Sequence, residues 1–471
     1  MTMFSLREAA ALIPGATVLG DDSVTFERVS TDSRTAGPGD LLVALKGDRF
    51  DAHDFLPEVA QRQIAAALLT RAPDGWTLPA LQVADTRAAL GALARGWRRR
   101  FTMPLVAVTG SNGKTTVKEM IASIFAAAVG ESARLATAGN FNNDIGLPLT
   151  LFRLSGVHQL AVVELGMNHP GETELLGKIT EPTVAVVNNA QREHQEFMAT
   201  VEAVALEHAS VIHALTPDGV AVFPANDAYA SIWRVAATGN RIMDFALQTS
   251  ASGATEAAVT GTFTGNQLAI DTPQGHTDVT LQVLGDHNAH NALAATAAAL
   301  AAGVSLDAIK RGLESFGAVK GRLQVKRGAL GSLVGATVID DTYNANPDSM
   351  RAAIDVLASR AAPRVLVMGD MGEVGDNGPA FHREIGAYAK ERGVDALYAL
   401  GDASRDACTA FGDGAHHVDS VDTLVAQLQQ AGFGPAATLL VKGSRFMKME
   451  RVVDAVTSPQ PIAPGAAPGA H

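Results

Sequence analysis

The sequence predicts an α/β protein of three domains, the central one a parallel sheet carrying a phosphate-binding loop. At 471 residues the chain exceeds one ordinary core, which holds about 100 to 200 residues. From about Val106 onward one unit recurs: a short apolar run, a turn rich in Gly, Asn or Asp, then a helical stretch. Continuous apolar runs belong to strands buried on both faces, as in a parallel sheet covered by helices. A glycine-rich turn, TGSNGKTT from Thr109 to Thr116, joins one such run to one such helix.

Taken in order, residues 1–100 differ from the rest of the chain. Turn signals in TDSRTAGPGD (Thr31 to Asp40) and KGDRFDAHDF (Lys46 to Phe55) suit a smaller mixed domain, and Arg98, Arg99 and Arg100 at its end read as a solvated helix terminus. A central domain over 101–321 holds the runs LVAV (Leu105 to Val108), LAVV (Leu160 to Val163) and VAVV (Val184 to Val187). Between Thr255 and Leu284 the pattern alternates in short pieces, which predicts an antiparallel insertion or edge. A third domain over 322–457 restarts with GRLQVKRGALGSLVGATVIDD (Gly321 to Asp341) and contains VLVM (Val365 to Met368) and LLV (Leu439 to Val441). The tail from Ser458, SPQPIAPGAAPGAH, has nothing to bury and is expected to be disordered.

Composition narrows the function. Apolar residues make up 47% and charged residues 18%, the balance of a soluble globular protein. The single cysteine, Cys408, forms no internal disulfide, and no run reaches the roughly 18 apolar residues of a membrane span. The Ala-rich stretch from Ala289 to Ala302 is short and interrupted by His290 and Asn291. A cytoplasmic, membrane-free protein is expected. The formal charge of −12 repels polyanions, so no nucleic-acid partner is expected, and an anionic ligand must be held by a few placed cations.

The turn supplies those groups. Gly110 and Gly113 let backbone N–H groups converge on phosphate oxygens, Lys114 offers a point charge to the β and γ phosphates, and the Thr115 hydroxyl can ligate magnesium. Apolar Val117, Met120, Ile121, Ile124 and Phe125 give the following helix one buried face. The common G-x-x-x-x-G-K-[ST] spacing asks for glycine at 108, where this chain has Val108. All eight residues, Thr109, Gly110, Ser111, Asn112, Gly113, Lys114, Thr115 and Thr116, are candidate nucleotide contacts. Glu164, at the carboxyl end of the next apolar run, is the candidate second metal ligand, or else caps the next turn. His194 stands one run further on, as ligand or structural residue.

TGSNGKTT, ELGMN (Glu164 to Asn168), the NN and His of Asn188 to His194, GDHNAHNALAA (Gly285 to Ala295) and DDTYNANP (Asp340 to Pro347) occur in this order, and the set resembles the Mur ligases. Similarity runs from STDSR (Ser30 to Arg34) through KGSR (Lys442 to Arg445). The resemblance implies an N-terminal domain for the UDP end of a precursor, a central ATPase domain and a C-terminal Rossmann-like domain. It implies ATP and Mg2+ as cofactors, and a three-domain enzyme with its site between domains needs no partner subunit, so a monomer is expected. ATP would phosphorylate the terminal carboxylate of UDP-N-acetylmuramoyl-tripeptide, and the amine of D-alanyl-D-alanine would attack the acyl phosphate, in peptidoglycan precursor synthesis. By the same resemblance His194 ligates a second magnesium, and Asn288 and Asn291 lie against the nucleotide, unless they cap the Ala-rich helix. Arg322 and Asp341 touch the γ phosphate and ribose, or form a hinge ion pair. Asn140, Asn142, Asn143 and Asp144 flank the acceptor end, or shape a turn. Ser33, Arg34 and Lys46 meet the uridine end. GDMGE (Gly369 to Glu373) and His382 face the cleft, and Lys442 and Arg445 bind the dipeptide carboxylate or the nucleotide, or stay on the surface.

One departure stands out. Many members carry a carbamylated lysine that helps hold the second magnesium, and in VEAVALEHASV (Val201 to Val211) that place is taken by His208, on which no carbamate forms. Either the second metal is held more weakly, or Glu207 or His208 is the expected substitute. Against a sibling that adds the third residue, DDTYNANP stands where that enzyme has a D-Y-A-H-T-P-like stretch. A folate polyglutamylating enzyme fits STDSR and the HNxxN context less well. A guanine-nucleotide switch would need N-K-x-D, which is missing.

Overall fold

The computed structural model describes residues 2–47, 49–248 and 255–458. Of the predicted tail only Ser458 falls among them, and 459–471 lie outside the described residues.

Near the N-terminus, five strands stand in the order Thr17–Leu19, Ala80–Gln82, Ala66–Leu69, Asp40–Val43, Arg28–Ser30, parallel except for the first pair. A helix at Thr86–Arg98, capped by the Asp85 carboxylate on Arg87 N and Ala88 N, leads out of this region. Its end is solvated at Arg99 and Arg100, as the sequence suggests, but closed at Arg98. Arg98 is 5% exposed, Arg99 joins Arg95 on Glu181, and Arg100 donates to Met3 O and stacks over Phe4. The charge of three adjacent arginines does not show what lies beside them; here one is buried and two tie the helix end to Glu181 and Met3 from the surface.

The central sheet has six parallel strands in the order Arg241–Ile242, Val220–Val222, β3 (Val184–Val187), β1 (Leu105–Thr109), β2 (Leu160–Glu164), Arg134–Ala136. Its apolar runs are buried throughout, as their unbroken hydrophobicity requires. Helix α1 (Lys114–Val129) follows β1, and α2 (Val201–His213) follows β3. The predicted antiparallel segment forms a sheet of Phe245–Gln248, Val259–Thr264, Gln267–Thr272 and Gly275–Thr280, with only its first pair parallel. The Ala-rich α3 (Asp286–Ala301) is buried from Asn291 to Leu300 among these layers, its small side chains permitting close approach. Next comes α4 (Leu306–Ser315), packed so tightly on α1 that a Cβ on Gly312 would stand 2.3 Å from Ile124 Cα.

The last sheet runs Gln324–Arg327, β4 (Thr337–Asp341), β5 (Thr438–Lys442), Arg364–Gly369, Ala396–Leu400, Ala415–Val418, antiparallel only in its first pair. Helices α5 (Pro347–Ala358) and α6 (Gly378–Glu391) cover one face. Among the described residues no helix is long and apolar enough to cross a membrane.

Candidate functional site

Residues from the loop after β1 and from the carboxyl ends of β2, β4 and β5 line one cleft of about 560 Å³. Open parallel sheets bind ligands at this edge, where loops diverge and helix N-termini arrive. Val108 sits in β1, fully buried, so the glycine of the common spacing is displaced into the loop itself. Gly110 has φ +130°, and a Cβ there would meet Asn188 N at 2.9 Å. Gly113 has φ +83°, and its Cβ would fall 2.4 Å from Asn291 Oδ1. Both positions therefore demand glycine.

Gly113 starts α1 without a side-chain cap, leaving the N–H groups of the first turn to an anion. The segment after β3 straps the loop down: Ser111 Oγ donates to Gln191 O at 3.2 Å, and Asn112 N donates to Asn189 Oδ1 at 2.9 Å. Thr116 is buried behind it and Thr109 closes β1. Lys114 folds back, its Nζ donating to Gly110 O at 2.6 Å and to Glu193 Oε2 at 3.2 Å. From across the cleft Arg322 Nη2 donates to Thr115 Oγ1 at 2.8 Å, its guanidinium lying over the Tyr343 ring.

Glu164 is 3% exposed, and its Oε1 accepts from Asn142 Nδ2 at 2.8 Å. Its Oε2 is buried without a partner, an acceptor-only oxygen of the kind a hard cation takes. With the Thr115 hydroxyl beside the phosphate loop, these residues fit magnesium. Among the described residues no three His, Cys, Asp or Glu form a cage of their own, which accords with an ion completed by phosphates and water. His194, at φ +46°, turns its ring between two carboxylates: Nδ1 lies 2.7 Å from Glu373 Oε2, in ion-pair contact but out of line for a hydrogen bond, and Nε2 lies 3.9 Å from Glu193 Oε2. Contact with that ring holds the Glu373 carboxyl below the usual carboxylate range.

Neither expected lysine substitute reaches the cleft. The Glu207 carboxylate accepts from Gly171 N and Thr173 N at the start of the preceding helix, Glu172–Thr180, and His208 is wholly buried between Thr109 and Glu193. The reason is geometric: both lie on α2, but the first faces a neighbouring helix end and the second is a ring too short to pass Glu193. Burial alone would push the Glu193 carboxyl up, but Lys114 and His208 against it, with His194 beyond, outweigh that and bring it down to about 2.

Asn140, Asn142, Asn143 and Asp144 all line the cleft. Asn143 is also the turn former, its Oδ1 accepting from Gly146 N at 2.8 Å, and Asp144 pairs with Arg87 at 3.3 Å. Asp341 pairs with Lys442 at 2.6 Å, so the ion pair at this hinge is not with Arg322. On the far side of the loop a second cavity of about 440 Å³ includes Asn288, His290, Asn291, Phe316 and Val319. Neither asparagine caps α3, whose N-cap is Gly285: Asn288 Oδ1 accepts from Asn291 Nδ2, and Asn291 Oδ1 from Asn188 Nδ2.

Ser33 and Arg34 line a separate cavity of about 880 Å³ near the N-terminus, with Arg49, Arg62, Phe50 and Phe55. Lys46 does not line it; its backbone bridges Asp51 and its side chain is exposed. Arg445 likewise stays outside the cleft, exposed and paired with Glu450 at 3.0 Å. His382 is buried beneath GDMGE, accepting from Met371 N at 3.0 Å, and shapes that loop without facing the cleft. Glu373 lines the cleft as its segment GDMGE implies; sequence reasoning singled out neither Glu193, an acid beside the candidate histidine, nor Tyr343 and Asn346 within DDTYNANP.

The model of the Mur ligase middle domain matches residues 108–299, and that of the Mur ligase glutamate ligase domain matches 321–445. The chain is 40% identical over 454 residues to the UDP-N-acetylmuramoyl-tripeptide–D-alanyl-D-alanine ligase of Haemophilus influenzae, covering 94% of this chain and 96% of that one. The Escherichia coli protein of the same name is also 40% identical, over 92% and 94% of the two chains. Among solved structures, MurF from Acinetobacter baumannii superposes with a TM-score of 0.88 at 35% identity, covering 97% and 99%. MurF from Thermotoga maritima in complex with ADP superposes at 0.80 with 24% identity, over 91% and 97%, a likeness of fold.

Proposed function

The chain belongs to the Mur ligase family, and we propose that it joins D-alanyl-D-alanine to UDP-N-acetylmuramoyl-tripeptide at the expense of ATP. The observation that carries this is the convergence of Lys114, Thr115, Glu164 and His194 on one cleft whose opposite wall holds Arg322, Asp341 and Lys442. A carboxylate is inert toward amines until one oxygen becomes a phosphate leaving group. Such a cleft supplies the positioning and positive charge that phosphoryl transfer needs.

The uncapped N–H groups of α1 receive the phosphates, and Lys114 leaves Gly110 O and Glu193 to meet the β and γ oxygens. Thr115 and Glu164 would hold one magnesium and His194 a second; bound there, the ions offset charge on the transferred phosphoryl. Arg322, already on Thr115, adds a cation from the other wall. The γ phosphoryl passes to the tripeptide carboxylate and ADP departs. The dipeptide amine then attacks the acyl carbon, phosphate leaves with the C–O electron pair, and the amine gives up a proton. Asn140, Asn142, Asn143 and Asp144 flank the acceptor end. The adenosine lies in the cavity of Asn288 and Asn291, with Asp341 and Lys442 at its edge. The Arg34, Arg49 and Arg62 cavity, floored by Phe50 and Phe55, suits the diphosphate and base of the precursor.

In this reading residues 1–100 bind the precursor, 101–321 bind ATP and 322–457 close the site. One chain supplies every wall of the cleft, so a monomer suffices, and the reaction belongs to the cytoplasm. Phosphate release with ATP and UDP-N-acetylmuramoyl-tripeptide is expected to require D-alanyl-D-alanine, and release without the dipeptide would end the ligase reading. Lys114→Ala is expected to abolish turnover, and retained activity would remove its assigned role. Parallel assays with diaminopimelate and lysine tripeptides decide the third residue.

A further inference from the structure

Glu193 is 5% exposed and has no task in the mechanism above. Its two oxygens serve different neighbours. Oε1 meets His208 Nε2 at 2.8 Å, while Oε2 lies 3.2 Å from Lys114 Nζ and 3.9 Å from His194 Nε2. His208 is itself fixed, its Nδ1 lying 2.9 Å from Thr109 Oγ1 at the end of β1. An ionised carboxylate accepts only, so His208 Nε2 carries the proton shared with it, while Nδ1 is held by the Thr109 hydroxyl. This is the arrangement in which an imidazole orients a carboxylate toward a metal from behind.

Removing a buried carboxylate's countercharge leaves an uncompensated charge out of water, which is strongly unfavourable. The ATP reading does that to Glu193, because Lys114 must turn to the phosphates. What remains is Oε2 beside His194 Nε2, an oxygen and a nitrogen donor facing a cleft that already holds the unpartnered Glu164 Oε2. We propose that Glu193 and His194 together ligate the second magnesium, that Lys114 occupies the cation's place until nucleotide arrives, and that His208 is the positioning residue for Glu193. A carboxylate delivered from the β3 loop thus takes the place of one that a modified lysine at 208 would extend from α2. This rests on the two-metal reading of the site.

Manganese binding followed by electron paramagnetic resonance, with the non-hydrolysable analogue AMPPCP and UDP-N-acetylmuramoyl-tripeptide present, separates the possibilities. The wild type is expected to take two ions per chain. Glu193→Gln is expected to keep the first and weaken the second about 100-fold, and His208→Ala to weaken it about tenfold. Thermal unfolding of each variant without metal controls for folding, and if His208→Ala does not fold, Glu193→Gln decides alone. Two ions bound by Glu193→Gln with wild-type affinity overturn the proposal while leaving the two-metal reading intact. So does a loss of AMPPCP affinity with both ions equally affected, since Glu193 then acts only through Lys114. A wild type that binds fewer than two ions removes the proposal together with the reading beneath it.

Discussion

Glu193 and Lys114 tie the pH range of stability to the active cleft. The Glu193 carboxyl is brought down to about 2 in the folded protein from an ordinary 4.5. A depressed acid stabilises the fold fully above its unfolded pKa and loses that contribution as pH falls toward its folded one. Urea midpoints are therefore expected to drop between pH 4.5 and 2 in the wild type, and Glu193→Gln to flatten that slope while lowering stability at neutral pH. A slope unchanged in the variant would show that other carboxylates govern acid unfolding. At this scale the sequence was legible where a residue type has one use. Lys114 after two glycines and Glu164 at a strand end line the cleft that their patterns indicate. Lys46 and Arg445 were not legible, because a cation in a matching segment says nothing about which way its side chain leaves the backbone.

The helices that bear these residues are placed by close packing. Ser123 Oγ donates to Gly312 O at 2.7 Å, and the Ile124 backbone fills the space where a side chain on Gly312 would lie. Gly312→Ala is expected to cost about 1–3 kcal/mol in urea unfolding, the usual penalty of overpacking, and to weaken ADP binding because α1 carries Lys114 at its start. Calorimetric titration with ADP checks the second effect; unaltered stability would mean that α4 can slide away. Periodicity identified α1 and the buried runs, since burial on one face or two leaves a direct mark on composition. It gave no warning that α4 would seat on α1 through a single glycine, which depends on the distance between two axes.

Across the whole molecule the central and last sheets are latched by the segment that also bears Glu193 and His194. Arg192 donates from its backbone to Asp348 Oδ2 at 2.8 Å, and its guanidinium forks onto Asp348 at 2.6 Å and Glu384 at 2.7 Å, on α5 and α6. Asn346 Nδ2 to Asn112 Oδ1 at 3.0 Å and Glu373 against His194 bridge the same gap. Arg192→Ala is expected to lower kcat about tenfold, the worth of one part-buried charged fork, and to enlarge the nucleotide-bound radius of gyration in small-angle X-ray scattering. Wild-type compactness in the variant would assign the latch to other contacts.

The sequence by itself determined the α/β class, the phosphate loop, the apolar strands and the family to which the chain belongs, because these depend on local patterns of residue type. Only the tertiary structure decided that Arg98 is buried while Arg100 reaches back to Met3, and that His208 stands behind Glu193, not in the cleft. It also decided that Lys114 rests on a buried acid. Those outcomes turn on contacts between residues 15 to about 100 positions apart, set by how strands and helices stack, and no local pattern encodes that distance.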